Sequence, residues 1–377
     1  MSRTKVAIAC QGGGSQTAFT AGALKTLAEH YGGGEFEVVS ISGTSGGAVC
    51  ALLLWYSFEK GEQPIWQRLI DFWKDNTVQS WAEGLLNDFA TNSLRLVNQG
   101  LLPAFQVSPS SPIFKTVLSF AGAGSRPTFT DFGALLRKYI DFDEVAAWGP
   151  RSQRPILMLG AANVSDGRLV KFVSSKEPIR LEHILASCAV PNIFPAVRID
   201  GDGYWDGLFS DNPPVEELIR PRSVGAENVP DEIWLIKINP TKRDRIPEQT
   251  DEILDRRNQL EGNISLFQQL QHLEFVNDLI MWDAFRPEFL GMFDIKSPIR
   301  IPKAFSEDPA KPYHIPCIEM PEEVQEKLDY QGKIDRSARN IDWLISQGEA
   351  AAHRFIAERA AIVANPPPVP PRPTFPE

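Results

Sequence analysis

The sequence predicts an α/β fold: a three-layer sandwich with a mostly parallel central sheet, helices on both faces and a C-terminal helical extension. Two short apolar runs near the beginning of the chain are each followed by a helix-forming segment. Such alternation of strand and helix is typical of parallel sheets covered by helices. The chain also has 377 residues, of which 43% are hydrophobic, so it can bury a substantial core.

Four segments at the beginning of the chain define this alternation. Lys5 to Cys10 and Phe36 to Ser42 are short apolar runs that predict buried parallel strands. The segment from Thr17 to His30 predicts a helix after the first strand, and the apolar segment from Ala48 to Phe58 predicts a buried helix after the second. The later sequence predicts paired strands at 156–161 and 169–173, a strand at 233–238, a helix at 248–283 and a long helical pair within 322–364.

Composition and charge exclude several classes of function. The formal charge is −10 at pH 7 and Lys and Arg do not cluster, which argues against a nucleic-acid partner and against docking on anionic lipid through a polybasic patch. The five His and four Cys show no metal-ligand spacing, so we expect neither a metal nor a cofactor. The polar N-terminus and the lack of an apolar stretch of about 18 residues predict a cytoplasmic protein, with transient membrane or micelle contact as an open alternative.

The sequence Gly43-Thr44-Ser45-Gly46-Gly47 has the G-x-S-x-G pattern and lies between a predicted strand and a predicted helix. This is the context of a nucleophile elbow, in which a sharp turn lifts a serine hydroxyl clear of the sheet. Glycines flank the turn because a Cβ atom there would strike neighbouring backbone. A serine at a helix N-terminus also lies where unpaired amides favour developing negative charge. The pattern therefore predicts Ser45 as a nucleophile.

The glycine triplet Gly12-Gly13-Gly14 ends the first predicted strand, at the same edge of a parallel sheet as the elbow. Successive glycines can turn their amides toward an anion, so the triplet predicts an oxyanion hole. Dinucleotide binding is the alternative, but Thr17 replaces the third glycine of G-x-G-x-x-G and the second strand does not end in an acidic residue.

Two routes would supply a base for the serine. A Ser-Asp-His order would use His272, His314 or His353, with His314 the best placed, yet only two predicted strands precede the serine. The other route is a Ser-Asp dyad with Asp206, which begins a loop marked by glycine and Asn-Pro turn signals. An aspartate with an ordinary pKa of about 3.9 is a weak base. This route therefore requires burial that raises the pKa, or proton transfer concerted with attack.

Separated blocks of the sequence resemble the patatin-like phospholipase family. The opening KVAIACQGGGSQTAFTAGALKTL is similar to the family's oxyanion-loop strand and helix, and SISGTSGGAV is similar to its elbow. The stretch from Ser187 to Pro195 (SCAVPNIFP) resembles the segment before the family's aspartate, and DGLFSDNP resembles its Asp-Gly loop. The order and spacing of the blocks agree from residue 5 to about 240.

The resemblance implies a patatin-like fold and assigns roles to residues of this sequence. The implied site residues are the nucleophile Ser45, the base Asp206, the oxyanion donors Gly12, Gly13 and Gly14, and the supporting glycines Gly43, Gly47 and Gly207. Gln16 and Thr17 stand where family members usually have a basic residue and a glycine. Leu208 stands where the aspartate motif usually has Gly or Ala, and a positive φ at this position would strain leucine.

On this basis residues 1–315 form a predicted patatin-like catalytic domain, residues 316–364 a C-terminal helical extension, and residues 365–377 a proline-rich tail. An irregular segment at about 64–132 is predicted either as a cap over an apolar substrate or as an ordinary helical insertion packed on the sheet. Its scattered large side chains are Trp66, Trp73, Trp81, Phe89, Leu101, Leu102, Phe105, Phe114 and Phe120. The tail is expected to be extended polyproline, either frayed or docked on a proline-binding partner.

The function implied by the resemblance is a lipid acyl hydrolase, of the phospholipase, lysophospholipase or esterase kind, with an acyl-enzyme intermediate on a Ser-Asp dyad. The expected partner is a lipid or another acyl ester. Two alternatives stay open: acyl transfer or non-lipid ester hydrolysis on the same dyad, and a catalytically silent binding protein that keeps the fold.

Overall fold

The structure is a computed structural model that describes residues 3–31, 33–102, 116, 124–191, 193–292, 295, 297–306, 308–328 and 331–368. Ten strands occur in these ranges, eight of them in one central sheet. The strands are β1 (Thr4–Cys10), β2 (Phe36–Gly43), β3 (Ile156–Asn163), β4 (Leu169–Val173), β5 (Val197–Ile199), β6 (Asp202–Asp206), β7 (Glu232–Lys237), β8 (Ile301–Pro302), β9 (His314–Ile315) and β10 (Ile318–Glu319).

Helices connect and cover these strands, and several short 3₁₀ turns link them. The described helices are α1 (Ala18–Tyr31), α2 (Gly46–Lys60), α3 (Gln67–Asp75), α4 (Trp81–Asn98), α5 (Pro127–Thr130), α6 (Phe132–Tyr139), α7 (Phe142–Trp148), α8 (Leu181–Ser187), α9 (Pro221–Val224), α10 (Thr250–Met281), α11 (Pro287–Met292), α12 (Glu322–Gln325) and α13 (Ala338–Ala364).

The central sheet has the strand order β10-β7-β1-β2-β3-β6-β5, and β4 also pairs with β3. Strands β10, β7, β1, β2 and β3 run parallel to one another, whereas β4 and β6 are antiparallel to β3 and β5 is antiparallel to β6. The predicted mostly parallel α/β fold is therefore confirmed. Because Cys10 is the register partner of Gly43, β1 and β2 end side by side at the carboxyl edge of the sheet.

Alternate side chains of the first strand pack into two separate cores. Val6 and Ile8 belong to the core that contains α1, α2 and α13, while Ala7 and Ala9 belong to the core that contains α10. Successive residues of a strand point to opposite faces of the sheet, so both faces of β1 are buried. This is the physical reason that a continuous apolar run, rather than an alternating one, marks this strand.

The predicted elements at the beginning of the chain and the predicted strands at 156–161, 169–173 and 233–238 are confirmed, with bounds that differ by one or two residues. The predicted long helical pair within 322–364 is wrong. The structure has a four-residue helix, α12, and one long helix, α13, separated by a 3₁₀ turn at Gln331–Lys333. After this turn, Arg336 donates hydrogen bonds to the carbonyl oxygens of Asn76 and Phe129.

The C-terminal segment is packed into the core. β10 extends the central sheet beside β7. Helix α13 lies against α1 at van der Waals distance, since a Cβ atom on Gly22 would meet the Ile345 carbonyl oxygen at 2.0 Å. Arg359 of α13 also makes a buried bidentate ion pair with Glu232 at the start of β7, with N–O distances of 2.6 and 3.0 Å. The division of the chain at residue 315 stays a prediction, but the segment after it contributes to the same hydrophobic core.

The insertion at 64–132 is helical where it is described. Helix α3 contributes Leu69, Phe72 and Trp73 to the main core, whereas α4 exposes Trp81 to solvent. Phe105, Phe114 and Phe120 lie outside the described residues, as do positions 369–377 of the proline-rich tail. Within the described ranges, every helix is too short or too polar to cross a bilayer.

Candidate active site

Ser45 occupies the predicted turn between β2 and α2. Its backbone has φ 55° and ψ −131°, a sparsely populated conformation for a residue other than glycine. Its amide donates to the Ser187 hydroxyl at 3.1 Å, and α2 begins at the next residue. The sharp turn thus places the Ser45 side chain at the N-terminus of a buried helix, where exposed amides favour negative charge.

The turn needs close backbone contact, which only glycine permits at position 47. A Cβ atom built on Gly47 would lie 2.3 Å from the carbonyl oxygen of Cys10 and 2.6 Å from that of Gln11. We expect Gly47→Ala to lower the free energy of unfolding by about 1–3 kcal/mol, because the end of β1 has to move. Urea denaturation measures this change. Gly84→Ala is the control, since its Cβ atom would meet only Val78 at 3.8 Å and should leave stability equal or higher.

Asp206 lies at the same edge of the sheet as the elbow. β6 runs antiparallel to β3 and ends where Asp206 pairs with Ala161, two positions beyond the pair of Leu159 with Gly43. The carboxyl group is fully buried, and its Oδ1 atom accepts a hydrogen bond from the Leu208 amide at 2.8 Å. Leu208 lies in a 3₁₀ turn and has no positive φ, so leucine causes no backbone strain there.

The environment of Asp206 changes its acidity. Burial raises the pKa of the carboxyl group to about 7, because the charged form loses hydration. The Leu208 amide, the Ser45 hydroxyl and the charge of Lys333 lower this pKa without cancelling the effect of burial. The Oδ2 atom accepts no hydrogen bond of normal geometry from any described residue, although the Ser45 hydroxyl is near enough to affect the pKa. A buried carboxylate oxygen without a hydrogen-bond partner keeps its capacity to accept one.

The glycine triplet faces the elbow, but its three amides differ. The Gly12 amide donates to Asn212 Oδ1 at 2.7 Å. The amides of Gly13 and Gly14 donate to no acceptor in the described part of the chain. Because the Gly12 amide already has an acceptor, it is not free to bind an oxyanion. The amides of Gly13 and Gly14 are therefore the candidates for an oxyanion hole. Thr17, at a departure from the family pattern, donates its hydroxyl to the Gly14 carbonyl at 2.5 Å and braces this loop.

Two buried amide side chains that sequence reasoning missed hold the loops together. Gln11 accepts hydrogen bonds from the amides of Ile238 and Asn239 at 2.8 Å and donates to Asn263 Oδ1 at 2.9 Å. Asn212 binds the Gly12 amide, as described above. The only signals in the sequence were that Gln11 adjoins the glycine triplet and that Asn212 belongs to an Asn-Pro turn.

The elbow is also tied to the loop that follows Asp206. The Thr44 hydroxyl donates to the Asp211 carbonyl at 2.6 Å, and the Ser42 hydroxyl donates to the Pro214 carbonyl at 2.5 Å. A Cβ atom on Gly207 would lie 2.5 Å from the Gly160 carbonyl oxygen, so this loop also packs closely on β3. These contacts fix the loop that follows Asp206 relative to Ser45.

Ser45, Asp206 and the triplet share a cavity of about 340 Å³, within the range of roughly 300–1,000 Å³ that is typical of small-molecule sites. Most of its walls are apolar. The apolar lining side chains are Val49, Phe72, Trp73, Leu86, Ala90, Leu94, Phe129, Phe132, Val190, Ile193, Phe194, Leu208 and Ile334. Helices α3, α4 and α5 thus form one wall of the cavity.

The described lining contains three charged side chains, Asp206, Lys333 and Arg336. Lys333 and Arg336 come from the segment between α12 and α13, and sequence reasoning missed both because no motif marks them. Burial lowers the pKa of Lys333 to about 8 and that of Arg336 to about 10. A buried cation is costly unless it is bound, so these two side chains are held by specific acceptors.

The histidines considered for a triad lie elsewhere. His314 is buried in β9 beside Glu274, His272 is exposed on α10, and His353 of α13 stacks edge-on against His30. Histidine is absent from the described lining of the cavity. The described residues also include no group of three or more His, Cys, Asp or Glu side chains arranged to hold a metal ion.

The fold and this site define an α/β protein whose apolar cavity opens at the carboxyl edge of a mostly parallel sheet. The family model described as patatin-like phospholipase matches residues 8–219, more than half of the chain, so the chain belongs to that family. At the level of the family it is a lipid hydrolase. A comparison with curated proteins finds no match.

Two solved structures show what the chain is similar to. VipD from Legionella pneumophila is 12% identical with a TM-score of 0.38, and the match covers 95% of this chain and 67% of that one. The ExoU–SpcU complex from the type III secretion system of Pseudomonas aeruginosa is 18% identical with a TM-score of 0.22, and the match covers 79% of this chain and 58% of that one. The chain therefore spans about two thirds or less of each of these neighbours.

Proposed function

We propose that this chain hydrolyses carboxylic ester bonds of lipids, with Ser45 as nucleophile, Asp206 as general base and the amides of Gly13 and Gly14 as oxyanion donors. The observation that carries the proposal is the apolar cavity shared by the strained Ser45, the buried Asp206 and the free amides of the triplet. Family membership supports the lipid substrate. The apolar walls suit an acyl chain, which gains free energy when it leaves water.

The reaction would proceed in two steps. Ser45 Oγ attacks the ester carbonyl carbon while its proton passes to the Asp206 carboxylate, and the oxyanion forms beside the amides of Gly13 and Gly14. Collapse of this intermediate expels the alcohol, which takes the proton from Asp206, and leaves an acyl-Ser45 ester. Water then attacks the acyl carbonyl carbon while Asp206 accepts its proton. Collapse of this second intermediate breaks the bond to Ser45 Oγ, which takes the proton back from Asp206, and releases the fatty acid. A carboxyl group with a pKa of about 7 is a far better base than one near the ordinary value of about 3.9.

A fluorophosphonate probe tests this proposal directly. The wild-type protein should become labelled, and peptide mapping should place the label on Ser45. Hydrolysis of p-nitrophenyl esters with acyl chains of increasing length, followed by phospholipids and lysophospholipids, then identifies the ester class. An unlabelled, folded wild-type protein would favour the silent binding protein, whereas labelling with transfer of the acyl group to an added alcohol in preference to water would favour an acyltransferase.

Activity should depend on pH through Asp206. The carboxyl group has to be ionised to accept a proton, and burial raises its pKa to about 7. We therefore expect kcat/KM to be constant well above pH 7 and to fall about tenfold for each unit below it. The measurement is the pH profile of kcat/KM with a p-nitrophenyl ester at constant ionic strength. A profile that stays flat down to pH 5 would contradict a raised pKa at the base.

A further inference from the structure

The 3₁₀ turn Gln331–Lys333 closes one side of the cavity, although it lies outside the region that the family model matches. The backbone of Lys333 abuts the oxyanion loop so closely that a Cβ atom on Gly14 would lie 2.2 Å from the Lys333 carbonyl oxygen. The Lys333 side chain lines the same cavity as Ser45 and Asp206. A distant part of the chain thus brings a cation to the catalytic groups.

The ammonium group of Lys333 is fixed by two neutral side chains. It donates to Asn239 Oδ1 at 3.1 Å and to Asn258 Oδ1. Asn239 follows β7 and its own amide is held by Gln11, while Asn258 belongs to α10. The position of the positive charge is therefore set by two separate parts of the chain, the segment after β7 and helix α10.

Neutral amides do not compensate for the lost hydration of a buried ammonium group, so carboxylates have to supply the remaining stabilisation. The charges of Asp255 and Asp206 both act on Lys333 and raise its pKa, opposing the effect of burial. The interaction is reciprocal, because the charge of Lys333 lowers the pKa of Asp206. The positive charge of Lys333 and the negative charge of Asp206 therefore stabilise each other.

We propose that Lys333 is a positioning residue of the ester hydrolysis: from its fixed place in the cavity wall, its ammonium charge keeps Asp206 in the carboxylate form that accepts the Ser45 proton. This inference rests on the proposed function, because it requires Asp206 to be the base. It gives the C-terminal segment a part in the reaction, beyond completing the core.

Three other ionisable groups of the described residues are near this pair: those of Cys188, Asp255 and Arg336. Cys188 faces Asp206, and burial together with the Asp206 charge raises the pKa of its thiol, so it stays neutral. Asp255 faces Lys333 from α10. Arg336 lines the cavity, but its guanidinium group stacks on Phe129, and its pKa is lowered first by burial and then by the charge of Arg126, against the charge of Glu83. Among the described residues, Lys333 is therefore the cation whose charge acts on the Asp206 carboxyl group.

The test is the pH profile of kcat/KM in Lys333→Met, Lys333→Gln and Lys333→Arg, compared with the wild-type protein. Loss of the positive charge raises the pKa of Asp206. The acid limb of the profile, where kcat/KM falls as the pH is lowered, should therefore move to higher pH by about one unit in the Met and Gln variants. Near pH 6 this shift corresponds to a roughly tenfold loss, and activity should recover above pH 8. Lys333→Arg keeps the charge and should keep the limb near its original position.

Controls separate this inference from the proposed function and from misfolding. Lys237→Met removes a buried lysine that pairs with Glu319 outside the cavity and should leave the acid limb unchanged. Lys333→Gln keeps hydrogen-bond donors for Asn239 and Asn258. If the Met variant unfolds, the pH profile of the Gln variant alone tests the role of Lys333. Equal loss at every pH, or an unmoved limb in the Met and Gln variants, would overturn the role of Lys333. Retained activity in Asp206→Asn would instead overturn the dyad itself.

Discussion

Ser45→Ala is expected to abolish fluorophosphonate labelling and to lower kcat/KM for ester substrates by about 10⁴-fold or more, the order found when a serine nucleophile is removed. Alanine keeps the Cβ atom, so the turn between β2 and α2 should be preserved while the attacking oxygen is lost. The measurements are probe labelling and p-nitrophenyl ester hydrolysis at pH 8, where Asp206 is ionised.

Ser57→Ala is the matched control for this prediction. Ser57 is a fully buried serine near the other end of the same helix, α2, and its hydroxyl donates to Glu62. This variant should keep both labelling and hydrolysis. Labelling that persists in Ser45→Ala, or maps to another serine, would show that the elbow does not carry the nucleophile.

Asp206→Asn is expected to lower kcat by about 10²–10⁴-fold, because an amide of the same shape cannot accept the serine proton. The change leaves volume and packing in the cavity intact, and the side-chain carbonyl oxygen of the introduced amide can still accept from the Leu208 backbone amide. Single-turnover kinetics should show that formation of the acyl-enzyme, rather than ester binding, has become slow. Fluorophosphonate labelling of Ser45 should slow in parallel.

Asp202→Asn serves as the control, since Asp202 begins the same strand, β6, but does not line the cavity. Its kcat should stay close to that of the wild-type protein. If Asp206→Asn were active and His314→Ala inactive, an imidazole would be the base despite the position of His314 in β9. In that case the buried carboxyl group would have only a structural role.

Much of the fold could be predicted because its signals are local. β1, β2 and α2 are buried on nearly all sides, so the sequence shows them as short apolar runs whose bounds are set by glycines. The elbow was predictable for the same reason. The close contact at Gly47 and the strained turn at Ser45 both fall within the five-residue G-x-S-x-G pattern. Asp206 required the family resemblance, because an aspartate before a glycine turn is common.

The features that could not be predicted depend on contacts between distant residues. The Gly12 amide is occupied by Asn212, which is 200 positions away in the sequence. Lys333 reaches Asn239 from 94 positions away. Neither pair leaves a periodic pattern, because each depends on where two loops meet at the sheet edge. The helical pattern of residues 322–364 led to the opposite error, since a local pattern does not show that Arg336 binds the carbonyl oxygens of Asn76 and Phe129, more than 200 positions away.

The position of β1 in the middle of the sheet has a consequence for protein synthesis. The Lys5 amide donates to the Asp231 carboxylate, 226 positions later, and β1 has β7 as one of its two neighbours. A growing chain on the ribosome therefore carries the elbow and the glycine loop long before β7, Lys333 and α13 have been made. The sheet edge that bears the elbow and the glycine loop is therefore incomplete until β7 has been synthesised and has paired with β1.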